Sequence, residues 1–168
     1  MTRIAKQEAI KMLESVGLKL PVDVKKAAES LGIKVVEKSL EDDVSGMLIM
    51  DNGQGTIVVN EHHHPNRKRF TIAHELGHYR MHREPSGIFV DSKAVFYRDK
   101  DSMGATKEVE ANNFAAELLM PEEAIRKILK SVNYETFDEN SLKVLSDKFE
   151  VSDSAMTLRL YKLGIIQG

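Results

Sequence analysis

At 168 residues, with 42% hydrophobic and 30% charged side chains, the chain is long enough to bury a core, and it folds as expected of a globular protein. A net charge of −2 argues against a protein that coats nucleic acid, and zero cysteines exclude disulfides and any cysteine-ligated metal. No apolar run approaches the roughly 18 residues of a membrane span, and the opening Met1-Thr2-Arg3-Ile4-Ala5-Lys6-Gln7-Glu8 has no secretory apolar core, so the cytoplasm is the expected compartment.

The first element is a helix, since Ile4, Ile10, Met12, Leu13 and Val16 recur at loosely helical spacing. A second helix is predicted from Val22 to Leu31, ended by Gly32, and the β-branched stretch Ile33 to Val36 reads as a strand. Met47-Leu48-Ile49-Met50 and Thr56-Ile57-Val58-Val59 flank Asp51-Asn52-Gly53-Gln54-Gly55, whose Asn-Gly is a strong hairpin signal. Extended substrates commonly add a strand to a sheet edge, which makes Thr56 to Asn60 the expected docking edge.

Pro65 to Arg83 then reads as a long helix, and inside it stands His74-Glu75-Leu76-Gly77-His78, the H-E-x-x-H pattern of zinc peptidases. Positions i and i+4 of a helix differ by about 40° around the axis and about 6 Å along it, so both imidazoles can converge on one cation. Glu75 sits roughly 100° from His74 and about 60° from His78, which leaves its carboxylate beside the metal rather than on it. A base belongs there. Zinc on three protein ligands keeps a position open for water and lowers that water's pKa to about 7, and a neighbouring carboxylate can take the proton and pass it to a leaving amine.

Phe70, Ala73, Gly77 and Met81 form an apolar stripe beside the histidines, so this face is expected to be buried. Gly77 costs about 1 kcal/mol relative to Ala in a helix interior, which marks a close packing contact. His82 continues the series but lies about 9 Å along the axis from a cation between the first two, so a structural or supporting role is expected instead of direct ligation. His62-His63-His64, just before Pro65, reads as a polar loop leading into the helix.

Residues 84 to 105 are mixed: Gly87-Ile88-Phe89-Val90 and Ala94-Val95-Phe96-Tyr97 fit short strands or a loop bordering a cleft. The stretch from Glu108 to Leu119 reads as a helix stopped by Pro121. On its wheel Glu108 shares an arc with Ala111, Asn112, Ala115 and Leu119, whereas Glu110 and Glu117 fall on the opposite side, where solvated carboxylates normally go. Glu108 is therefore the predicted third metal ligand and Glu110 the fallback. Asn112, one turn along the same face, is placed to accept the outer N–H of a ligating histidine.

Glu122 to Lys130 and Ser141 to Phe149 read as amphipathic helices, and Val151-Ser152-Asp153-Ser154 marks the turn into a last helix ending near Gly164. Helix, short turn, helix is also the outline of a DNA-binding helix-turn-helix. Over residues 141–168, however, Lys143, Lys148, Arg159 and Lys162 stand against Asp147, Glu150 and Asp153, a single net positive charge. Duplex DNA demands several phosphate contacts, so packing or partner docking is favoured over DNA binding.

Two blocks carry a resemblance: Arg69-Phe70-Thr71-Ile72-Ala73-His74-Glu75-Leu76-Gly77-His78-Tyr79 with His82, and Glu108-x-x-Ala111-Asn112-x-Phe114-Ala115-Ala116-x-Leu118-Leu119-Met120-Pro121. Together they resemble the signature blocks of the ImmA/IrrE family of metallopeptidases. The likeness extends from about residue 20 to 165, through Ile57-Val58-Val59-Asn60 and Leu145 to Ser152 followed by Arg159-Leu160. It implies His74, His78 and Glu108 as zinc ligands, Glu75 as catalytic base, and as substrate a cytoplasmic regulatory protein, a transcriptional repressor or an antitoxin, often tied to mobile elements.

The expectation from sequence is an α+β fold, a small mixed or antiparallel sheet packed against a zincin-like H-E-x-x-H helix and a C-terminal helical bundle. One metallopeptidase domain is expected over residues 1–168, with about 1–121 as its zincin-like core and about 122–168 as a helix-turn-helix-like subdomain. The expected function is zinc-dependent endoproteolysis. The alternative is a regulator that keeps the fold but binds protein or DNA without cutting, against which the intact Glu75 argues. Tyr79, Tyr97, Arg69 and the histidine cluster are the candidates for steadying the oxyanion.

Overall fold

Asn52 and Gly53, at φ of 47° and 82°, close a two-residue hairpin turn of the left-handed kind that matches strand twist. The hairpin organises the sheet in the computed structural model, which describes residues 2–17, 19–92, 102–131 and 139–167. Strand β1 (Lys34–Lys38) comes first, β2 (Val44–Asp51) and β3 (Gln54–Asn60) flank the turn, and β4 (Gly87–Ser92) closes the sheet. Their order is β1-β3-β2-β4, with β1 and β3 parallel and the other pairs antiparallel. This is the mixed sheet of an α+β fold, as the sequence predicts.

One expectation fails here. β3 is paired on both sides, so Thr56 to Asn60 has no free edge to offer a substrate; among the described residues the edges are β1 and β4. A β-branched run fits a central strand and an edge strand equally well, and only the non-local pairing distinguishes them. Gly87 to Val90 forms β4, whereas Ala94 to Tyr97 lies outside the described residues.

Helices α1 (Arg3–Val16) and α2 (Val24–Glu29) precede the sheet. The Asp23 side chain accepts from the Lys26 N–H, and this cap starts α2 two residues later than the apolar run suggests. Helix α3 (Pro65–His82) opens with Pro65 in its first turn and with the His64 ring accepting from the Asn66 N–H. Then come α4 (Ser102–Leu119), α5 (Glu122–Ser131), α6 (Glu139–Phe149) and α7 (Asp153–Lys162), the last capped by Ser152.

Helix α3 is the axis of the molecule, with every residue from Thr71 to Tyr79 buried. That stretch has no solvent face, so its polar side chains must find partners inside. On one side lie Leu48, Met50, Ile57 and Val59, alternate positions of β2 and β3 that share a core with Ile72 and Leu76. The contact is close: a Cβ on Gly46 would fall 2.5 Å from Thr71 Cγ2 and 2.7 Å from the Val58 carbonyl oxygen. On another side lies α4, which adds Phe114, Ala115, Leu118 and Leu119.

The same buried cluster takes in Leu145 and Phe149 of α6 and Met156 and Leu160 of α7. Arg159 of α7 pairs with Glu117 of α4 in the interior, donates from Nε to the Met120 carbonyl at 3.0 Å, and leaves Glu117 Oε1 to accept from the Glu122 N–H at 3.2 Å. Glu117 is thus buried, not on a solvated side as its wheel position suggests, because α7 packs over that face of α4. No helix among the described residues is long and apolar enough to cross a membrane.

Candidate metal centre

The site begins with Gly77. A Cβ built there would lie 3.0 Å from Ala111 Cα and 3.2 Å from both the Ala111 carbonyl oxygen and the Phe114 ring, so the bare backbone lets α3 and α4 approach along a small-residue seam. Glu108 and Asn112 flank Ala111 on α4, and His74 and His78 flank Gly77 on α3, so the seam carries both pairs inward together. Gly77→Ala should gain about 1 kcal/mol in helix propensity and lose about 1–3 kcal/mol to overpacking. The expected result is a net loss of stability and weaker metal uptake, read by thermal melts with and without chelator and by zinc competition.

His74 Nε2 and His78 Nε2 lie 3.0 Å apart, and the Glu108 carboxylate stands 3.3 Å from the first and 3.1 Å from the second. Ligands held about 2.0–2.1 Å from a tetrahedral zinc would be separated by about 3.3 Å, so the three donors already have the spacing of one face of such a coordination shell. Among the described residues, these three form the one such group able to hold a metal ion.

Their protonation suits the task. Burial pushes the His78 imidazole below its ordinary pKa, outweighing the pull of Glu108, so the ring is neutral at pH 7. Burial pushes the Glu108 carboxyl up, but hydrogen bonds with His74 and His78 outweigh it and hold the group below the usual carboxylate range. Neutral imidazoles and an ionised carboxylate are the form in which these groups bind a cation. His74 Nδ1 lies 3.1 Å from Asn112 Oδ1, which can accept its N–H and leave Nε2 for the metal.

Glu75 follows His74 directly and is only 1% exposed. Carboxylates are rarely so deeply buried without a function or a strong partner, and this one lies in the same helical turn as both metal-facing histidines. Phe89 of β4 stacks over His78 at 6.2 Å between ring centroids and walls the site on the sheet side. Sequence reasoning had no means of finding Phe89, since its approach depends on how β4 pairs with β2. Glu110, the fallback ligand, is bonded instead to His82, 2.8 Å from its Nε2.

The oxyanion candidates fare less well. Tyr79 packs beneath Gly55, with the Arg83 guanidinium 4.9 Å from its ring centre, and Arg69 donates to the Phe149 and Glu150 carbonyls. Both are structural ties away from the three donors. His62 bonds Ser39 Oγ at 2.9 Å and His64 caps α3, about 15 Å along the axis from His74, while Tyr97 lies outside the described residues.

Three likenesses bear on this arrangement. The protein "Uncharacterized immunity region protein 2" of Bacillus phage phi105 is 33% identical over 95 residues, 56% of this chain and 56% of that protein. A Mycobacterium tuberculosis transcriptional regulator shares the fold with a TM-score of 0.67 at 16% identity, over 95% of this chain and 47% of its own. The chain therefore spans about half the length of each. The family described as Peptidase M78, IrrE N-terminal-like domain, matches residues 28–161, from α2 through nearly all of α7 and across every residue of the donor group. The chain belongs to that family, the metallopeptidase-like group typified by ImmA and IrrE.

Proposed function

We propose that this protein is a zinc-dependent endopeptidase that cuts a cytoplasmic regulatory protein, a transcriptional repressor or an antitoxin. The observation that carries the reading is the convergence of His74 Nε2, His78 Nε2 and the Glu108 carboxylate within 3.3 Å of one another, with Glu75 buried in the same helical turn. Zinc, when bound, supplies a Lewis acid that polarises the scissile carbonyl and brings the pKa of a water to about 7. His74, His78 and Glu108 would hold it. Glu75 accepts the proton of the attacking water and returns it to the leaving amine. Asn112 fixes the ring of His74, and Phe89 shields that of His78 from water.

A target chain that pairs with the sheet does so along β4, an edge among the described residues, whose Phe89 borders the site. Choice of a regulatory target is supported by the likeness to a phage immunity region protein and by the signature blocks in the sequence. DNA is not proposed as a partner: with Arg159 committed to Glu117, the exposed charges of residues 141–168 leave no net positive patch.

The test is to load the purified protein with zinc, incubate it with repressors or antitoxins encoded beside its gene, and read fragments by mass spectrometry. Cleavage that stops in chelator and returns with zinc supports the reading; a protein that takes up zinc and leaves all of them intact, or cuts equally well in chelator, rejects it. Chelated protein should stay folded, since the sheet and helices share a core independent of the donors, whereas a purely structural zinc predicts unfolding. Proton competition at the buried His78 should set in only below the ordinary imidazole pKa of roughly 6.5, so loss of zinc affinity that tracks this ring should appear below that pH. A competition titration across pH 5 to 8 checks this.

A further inference from the structure

His82 is too far along α3 to bind the ion that His74 and His78 would hold, yet it is not a bystander. Its Nε2 lies 2.8 Å from Glu110 Oε2, and its Nδ1 lies 3.4 Å from His78 Nδ1. The three side chains are shielded, with exposures of 6% for His78, 7% for His82 and 19% for Glu110. We propose that Glu110 and His82 are positioning residues, a hydrogen-bonded chain that holds the His78 ring with Nε2 towards the metal.

The order of donors follows from the carboxylate. Glu110 can only accept, so the hydrogen of a neutral His82 sits on Nε2, and its Nδ1 is left with a lone pair. That lone pair faces His78 Nδ1 and accepts its hydrogen once Nε2 of that ring is given to a metal. His78 Nε2 is the atom that stands 3.0 Å from His74 Nε2 and 3.1 Å from Glu108, placed to donate to that carboxylate without a metal and to be the ligand nitrogen with one. With Nε2 of His78 given to a metal, the reversed order at His82 would set a hydrogen against a hydrogen between the two rings and a lone pair against the Glu110 carboxylate.

Helix α4 thus addresses the two imidazoles by different means. Asn112 reaches His74 directly at 3.1 Å, while Glu110 reaches His78 through the intervening ring. A carboxylate at the far end also raises the basicity of the nitrogen at the near end. Glu110 and Glu108 are two residues apart on α4, yet one is directed to the donors and the other to the ring behind them.

This inference rests on His74, His78 and Glu108 being the metal ligands, and its test separates the two. Zinc dissociation constants are to be measured by chelator competition for the parent, His82→Leu, Glu110→Ala and the double variant, with melts in chelator as the fold control. Each single change should weaken zinc binding about 10- to 100-fold, the double variant should be no weaker than His82→Leu, and His82→Asn, whose Oδ1 replaces Nδ1 as acceptor, should recover most of the loss. Nitrogen-15 spectra of the zinc-loaded parent should find His78 protonated on Nδ1 and His82 on Nε2, and Glu110→Ala should release that preference in His82. Variants that bind zinc within twofold of a tight-binding parent, additive losses, or a His82 protonated on Nδ1 in the zinc-loaded parent would overturn the chain alone. A parent that takes up no zinc overturns the metal reading and this inference with it.

Discussion

Glu75→Gln is expected to abolish cleavage while leaving the fold and the metal in place. General-base assistance is worth about 10²–10⁴ in rate, and the amide cannot take a proton from water at any working pH, so the turnover number should fall by at least that factor. Zinc content should remain that of the parent, because the three donors belong to other residues. The melting temperature should stay close to that of the parent, because the amide keeps the size and shape of a side chain that is 1% exposed. That combination of lost turnover, kept metal and kept stability separates a base from a structural acid. A variant that still cuts within tenfold of the parent would remove Glu75 from the reaction and favour a protein that acts by binding alone.

Local rules made the centre readable in advance. The meeting of His74 and His78 needs only helical spacing, and the selection of Glu108 over Glu110 needs only a wheel on which apolar neighbours mark the inward arc. Gly77 also signalled itself, since glycine inside a helix has to be explained by something close, and Ala111 is that neighbour. The rest depends on contacts between distant segments. Whether Thr56 to Asn60 is an edge is decided by where β1 and β2 pair, which no window of sequence contains. The wheel placed Glu110 and Glu117 towards solvent because it treats a helix as having one buried face, but α4 is met by the end of α3 and by α7 on those other sides. Their partners lie 28 residues before and 42 residues after them in the chain. A clue did exist in Arg159, a charge set within the apolar spacing of Met156 and Leu160, where a buried partner is the usual explanation.

Arg159→Leu should be the most destabilising of the substitutions considered, by about 3–5 kcal/mol, because it strands a carboxylate in the core. Arg159 is 1% exposed and serves two acceptors at once, Glu117 and the Met120 carbonyl, so leucine also leaves that carbonyl without its donor. Glu117→Leu should cost somewhat less, since the arginine keeps the carbonyl and only the Glu122 N–H loses its acceptor beside the pair. Replacing both residues removes the unpaired charge, and the double variant should be more stable than Arg159→Leu alone, though short of the parent because the Met120 carbonyl and the Glu122 N–H stay unmet. Denaturant melts of the four proteins complete the cycle. Two additive losses would mean that the charges do not compensate each other, and that α7 is held to α4 by its apolar contacts alone. Below their melting points all four should bind zinc alike, because Glu117 lies more than two helical turns along α4 from Glu108 and touches none of the three donors. The fastening of the last helix and the grip on the metal are then separate properties of one helix, set by carboxylates more than two turns apart.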